Sequence, residues 1–277
     1  MEFLRLEAAD YESAVLRARE QWGSAVRIHS RRDFNLGRKD SRCEIAFYLV
    51  DLTQQQRYKS EQHLLFLLEA NGIDASLPAI TALQEGCEHW EESEVEMHLI
   101  GALLGNLNYS YGFTERTIVV VGSERRRTAV KLAATLQERL GKRVALLQST
   151  AEPTILEELA TLWKIPICRA KSQECEAFEY LITTEEGIAD SVNTVASLSP
   201  EALISDAAAV QADMIILRDF NEIAILGPLL GALLESELSL GYIDQEFAAD
   251  TLLTPASASL FLEKLEGFRI DLHSLLF

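Results

Sequence analysis

The spacing of apolar and polar positions changes twice along the chain. Residues 2–7 alternate and predict a short strand. Asp10 is placed to cap a helix whose apolar stripe is Tyr11, Ala14, Val15, Ala18 and Trp22, stopped by Gly23. Residues 25–30 and 43–49 predict two further strands, and the segment between them is expected as a hairpin loop turned by Asn35 and Gly37. Residues 51–60, rich in Gln, read as a polar linker. From 61 to about 108 the pattern is helical: His63, Leu64, Leu67 and Leu68 share a face, Asn71-Gly72 breaks it, and apolar runs follow at 77–83 and 95–107.

At Thr117 the pattern changes again. Residues 117–121 are apolar or β-branched and predict a buried parallel strand; Gly122 ends it, and a helix is expected to start near Thr128, with Ala129, Leu132, Ala133 and Leu136 on one side. Strands are expected at 143–147, 165–169, 179–183, 192–197, 214–217 and 240–243, with helices at 154–163, 200–208 and 226–236. Pro255 is expected to open a last helix over 256–265, and the tail, with Phe268, Ile270, Leu272, Leu275 and Leu276, to pack back on the helical segment. Strands alternating with helices predict an α/β fold with a parallel sheet covered on both faces. Three modules result: 1–52 small and α+β, 53–112 helical, 113–277 α/β.

Charge narrows the function. With 25 basic and 43 acidic residues the net charge is −18, which argues against nucleic acid and anionic membranes as main partners. Residues 1–51 hold nine of each sign, so the other 226 carry the whole excess. Within 27–42, Arg27, Arg31, Arg32, Arg38, Lys39 and Arg42 face only Asp33 and Asp40. A solvated loop is the plain reading; a docking site for an acidic protein surface is the sharper one. The stretch of Glu85, Glu88, Glu91, Glu92, Glu94 and Glu96 is expected to be a solvated face. Cys43, Cys87, Cys168 and Cys175 form no CxxC pair, and His63, His89 and His98 lack ligand spacing, so buried thiols and no metal are expected. With no leader-like start and no apolar run of membrane-spanning length, a soluble cytoplasmic protein is expected.

The strand–Gly–helix unit from Thr117 is the frame of a phosphate-binding loop, in which helix N–H groups and the helix dipole face an anion. The chemistry of GxxxxGK[ST] is missing, however. Five residues after Gly122 stands Arg127, followed by Thr128 and Ala129, where a second glycine, a lysine and a hydroxyl would be needed. Glu124, Arg125, Arg126 and Arg127 fill the turn instead. These arginines are either solvated or acid-paired, or they form a phosphate site.

Four stretches together resemble the signal-recognition-particle type of GTPase, and within it the FlhF group: YESAVLRAREQWGSAVRIHSRRDF, LLEANGIDASL, TAVKLAATLQERLGKRVALLQSTAEPTILEEL and NEIAILGPLLGALLESELSLGYIDQE. They cover nearly the whole chain in the family's order. The resemblance implies an FlhF B-like amino-terminal domain, a helical N-like domain and a parallel-sheet, P-loop-type G domain. It also places the nucleotide motifs, and each departs from the family. The P-loop falls on Gly122 to Thr128, about three residues short. The D-T-x-R motif falls on Ser149, Thr150, Ala151 and Glu152. The D-T-A-G-R loop falls on Thr183, Thr184, Glu185, Glu186 and Gly187, without the Asp that holds the magnesium water. The guanine-reading T-K-L-D falls on Arg218, Asp219, Phe220 and Asn221, where an amide replaces the base carboxylate. What the resemblance implies is therefore a pseudo-GTPase with no cofactor and no catalytic residue, acting as an interaction or scaffold protein in flagellar placement or assembly. The partners it implies are flagellar basal-body base proteins, a polar landmark, an FlhG-type ATPase or a true FlhF, with recruitment to the cell pole or flagellar base and membrane association only through partners. The alternative is a divergent enzyme that binds a nucleotide or another phosphate through Arg125–Arg127.

Overall fold

A computed structural model describes residues 4–34, 42–49, 52–87, 90–149, 155–170, 172–236, 238–246, 248 and 250–270. The chain divides into two compact units, Met1–Leu64 with Gln84–Val95, and Leu65–Leu83 with Glu96–Phe277.

In the first unit, β1 (Leu4–Ala8), α1 (Tyr11–Trp22), β2 (Val26–Phe34) and β3 (Arg42–Leu49) form an antiparallel sheet of order β1-β3-β2 with α1 on one face. Asp10 caps α1, its carboxylate accepting the Ser13 N–H at 2.8 Å. Ala14 and Ala18 of α1 are fully buried with Ile45 and Phe47 of β3, and Trp22 lies 5.1 Å from the Phe47 ring. β2 runs four residues beyond the expected strand. Residues 31–34, expected as loop, pair with Arg42–Ile45, beyond a bulge between Ile28 and Ser30. Arg38 and Lys39 lie outside the described residues.

The polar linker expected at 51–60 is not there: α2 (Leu52–Asn71) runs through it. This stretch has neither Gly nor Pro, and its Gln, Arg and Lys are good helix formers whose polarity says nothing against a helix. Then come α3 (Pro78–Gly86) and α4 (Glu92–Leu104). Glu88 lies outside the described residues, and Glu96 departs from the solvated face expected for its neighbours. It is 1% exposed, and its carboxylate accepts the N–H groups of Arg269 and Ile270 at 3.0 and 2.8 Å. Two backbone donors at the chain's end thus hold a buried carboxylate that charge patterning alone would put in water. The tail expected to pack on the helices reaches α4 as far as Ile270; residues 271–277 lie outside the described residues.

The second unit is built on β4 (Thr117–Gly122), α5 (Arg125–Leu140), β5 (Val144–Gln148), α6 (Ile155–Leu162), β6 (Ile167–Arg169), β7 (Tyr180–Thr183), β8 (Asn193–Leu198), α7 (Pro200–Asp206), β9 (Met214–Arg218), α8 (Gly227–Glu235), β10 (Leu240–Asp244), β11 (Thr254–Pro255) and α9 (Ala258–Leu262). The sheet order is β11-β10-β9-β8-β4-β7-β5-β6, parallel throughout except for β10 with β11. The expected mostly parallel α/β sheet is what forms, with β4 inside it. Ile118 and Val120 are fully buried against Ala129, Leu132, Ala133 and Leu136 of α5. Pro255 does not open a helix. With Thr254 it pairs to Tyr242 and Ile243 as an edge strand, where its missing N–H costs no ladder bond, and the last helix shrinks to Ala258–Leu262.

Two helix ends meet at two glycines within this unit. Gly72 (φ +62°) ends α2, and Gly227 opens α8 so close that a Cβ there would stand 2.2 Å from the Gly72 carbonyl oxygen. Beside them Asn71, 3% exposed, donates to the carbonyls of Leu67 and Glu266 and accepts the Glu266 N–H. All four cysteines are buried and free, and burial pushes the Cys168 thiol up to about 11, so it stays protonated and unreactive near neutral pH. No helix among the described residues is long and apolar enough to cross a membrane.

Candidate functional site

In open parallel sheets, ligands bind beyond the carboxyl ends of the strands where strand order reverses. Here that point is the end of β4, with β7, β5 and β6 to one side and β8 to β11 to the other. The sequence motifs converge on it. Gly122 (φ +94°) ends β4 with no room for a side chain, since a Cβ would lie 2.5 Å from the Ser197 carbonyl oxygen on β8. Only Ser123 and Glu124 separate it from α5, which starts at Arg125, three residues earlier than its apolar spacing predicts. Glu124 makes the sharp turn in the left-handed region (φ 56°) and gives α5 no side-chain cap. The arginines therefore form the helix's first turn rather than a loop.

They do not act together. Arg125 and Arg126 are exposed and line an open hollow of about 370 Å³ with Gly122, Glu124, Arg127 and Leu159. Arg127 is 7% exposed and meets Asp244 of β10 at 3.5 Å. One turn on, Lys131 is 0% exposed; its ammonium donates to Asp244 at 2.6 Å, to the Glu246 carbonyl at 2.8 Å and to Thr251 Oγ1 at 2.8 Å. Thr128 is also buried, its hydroxyl 2.7 Å from that of Ser197.

The remaining motif positions bond within the chain. The Ser149 N–H donates to both Glu185 carboxylate oxygens at 3.2 Å, and the Thr183 hydroxyl accepts the Glu185 N–H at 3.1 Å. Arg218, 5% exposed, donates to the Ser123 hydroxyl at 2.7 Å and meets Asp219 at 3.5 Å. Asp219 turns in the left-handed region (φ 55°), and the Asn221 amide donates to the Gln245 carbonyl at 3.0 Å. Glu152 lies outside the described residues.

Sequence reasoning did not find the Lys131–Asp244 pair, the Glu185 contact or the Arg218–Ser123 bond. A signal existed for the first. Lys131 interrupts an apolar helix run and Asp244 an apolar strand, and charges in such places need partners.

No protein-family model and no curated protein matches the chain. Solved structures do. A crystal structure of FlhF complexed with GTP and Mg2+ matches with a TM-score of 0.57 at 19% identity, covering 76% of this chain and 98% of that one. Chloroplast FtsY from Physcomitrella patens matches at 0.55 and 14%, covering 78% and 99%. The signal recognition particle receptor FtsY from Elizabethkingia anophelis, in complex with GDP, matches at 0.53 and 13%, covering 78% and 93%. The chain thus has the α/β fold of FlhF and FtsY, that of the signal-recognition-particle GTPase G domain.

Proposed function

We propose that the protein is a catalytically inactive, FlhF-like pseudo-GTPase that works by binding partner proteins. The observation that carries this reading is the two-residue connection between β4 and α5. A nucleotide's phosphates need a longer, glycine-containing loop whose N–H groups wrap them, a lysine on the outer oxygens and a hydroxyl on magnesium. Here Arg127 stands at the second-glycine position and is drawn to Asp244, while Thr128, at the lysine position, is buried against Ser197. Asn221 stands where a carboxylate would accept two N–H bonds from guanine, and its amide already serves Gln245. A micromolar nucleotide needs about −8 kcal/mol. Missing charge-assisted bonds at about 1.5–3 kcal/mol each take affinity to millimolar or weaker. The likeness to FlhF supports a role in flagellar placement or assembly, with basal-body proteins, a polar landmark, an FlhG-type ATPase or FlhF itself as partners.

The second reading, a phosphate or nucleotide binder using Arg125–Arg127, has the open hollow in its favour. Thermal unfolding and turnover separate the two. A micromolar site would gain about 4 kcal/mol from ligand at a thousand times its Kd. The melting temperature should not move with millimolar GTP and magnesium, and phosphate release should stay at background. A rise of several degrees, or turnover abolished by Arg125→Ala with Arg126→Ala, would establish the second reading.

A further inference from the structure

We propose that the outer face of the amino-terminal sheet, opposite α1, docks an acidic segment of a partner protein; this rests on the interaction-protein reading above. Residues opposite each other on antiparallel strands share a face. Arg31 stands opposite Ile45 and Asp33 opposite Cys43, so both point to the α1 side. There Arg31 bonds Asp33 at 2.8 Å and lies 4.7 Å over the Tyr11 ring. It is committed to its own fold. Arg27 stands opposite Tyr48, Arg32 opposite Glu44 and Arg42 opposite Phe34, all on the other side, and Arg5 of β1 joins them opposite Ala46. The sheet therefore sorts the basic cluster, removing Arg31 and adding Arg5.

These four arginines are exposed, with Phe34 beside Arg32. Glu7 and Glu44 stand among them at 3.8 Å from Arg42 and 3.9 Å from Arg5. Such long contacts, made by arginines that are mostly exposed, hold little energy and can be exchanged for a partner's carboxylates, which the guanidinium fork matches in shape. Charge spacing selects the partner. A nucleic acid presents a charge about every 1.7 Å and would meet both glutamates as well as the chain's excess of 18 negative charges. A protein segment can set spaced carboxylates around them.

The test follows amide shifts of the full-length, isotope-labelled protein on adding a decapeptide of alternating Glu and Ala. Shifts should fall on β2 and β3, and affinity should weaken about tenfold between about 50 and 200 mM salt. Arg27→Glu with Arg32→Glu should abolish binding at an unchanged melting temperature; if that pair lowers it, Arg27→Gln with Arg32→Gln should still weaken binding. Arg17→Glu, exposed on α1, should bind as the parent does. No shifts at low salt, shifts elsewhere, binding indifferent to the charge reversal, or tighter binding of an oligonucleotide or phosphatidylserine vesicle would overturn the assignment. Failure here leaves the inactive-GTPase reading standing, since that reading falls only to nucleotide binding or turnover.

Discussion

Asp244→Ala should cost about 3–5 kcal/mol of folding stability, a large part of the roughly 5–15 kcal/mol that a typical domain has. The carboxylate is 1% exposed and holds an ammonium that is 0% exposed. Removing it leaves the buried Lys131, among the described residues, with the Glu246 carbonyl and the Thr251 hydroxyl, and leaves Arg127 without the carboxylate it faces. Most of the penalty is stranded charge, not the lost attraction. Lys131→Met combined with Asp244→Asn should therefore lose less than Asp244→Ala alone, a non-additivity that urea unfolding of the variants would reveal. A loss below about 1 kcal/mol for Asp244→Ala would mean that the pair is solvated.

Gly227→Ala should lose about 3 kcal/mol, for a different reason. The new Cβ would stand 2.2 Å from the carbonyl oxygen of Gly72 and 2.5 Å from that of Asn71. Both are backbone atoms with no rotamer to give way, so α8 must move off the end of α2. Gly231 in the same helix is the control. Its Cβ would meet only Leu77 at 3.9 Å, so Gly231→Ala should gain about 0.5–1 kcal/mol from helix propensity. Equal urea midpoints for the two variants would show that the Gly72–Gly227 contact is not tight.

The contrast between these glycines shows what the sequence made legible. Apolar runs such as residues 117–121 and 214–217 named their strands, because a buried parallel strand has no polar side to confuse the period. Gly72 was readable as a helix stop but not as half of a packing junction, whose other half lies more than 150 positions away. The start of α5 was misplaced because it depends on Glu124 adopting a left-handed conformation, which no side-chain preference of Glu announces. Lys131 interrupts an apolar helix run, but its partner stands 113 residues on, so nothing local named that partner.

The β2 bulge is the sharpest case. Val26 and Ile28 face α1, and plain alternation would send Ser30, Arg32 and Phe34 after them. The extra residue between Ile28 and Ser30 reverses the faces, turning Arg31 in and Arg32 out. The motif departures at Arg127, Ser149, Thr183 and Asn221 were legible as identities. Their geometry was not: that Glu185 would take the Ser149 N–H, or Arg218 the Ser123 hydroxyl, depends on which strand ends the sheet brings together.

The most direct measurement of the central claim is calorimetric titration of the protein with GTP, GDP and ATP in the presence of magnesium. With two residues between β4 and α5, an arginine at the second-glycine position, a threonine at the lysine position and an amide at the base-reading position, no dissociation constant tighter than roughly millimolar is expected for any of the three. Arg127→Gly should not restore binding, because the connection remains too short. A low-micromolar constant for any of these nucleotides would contradict the account.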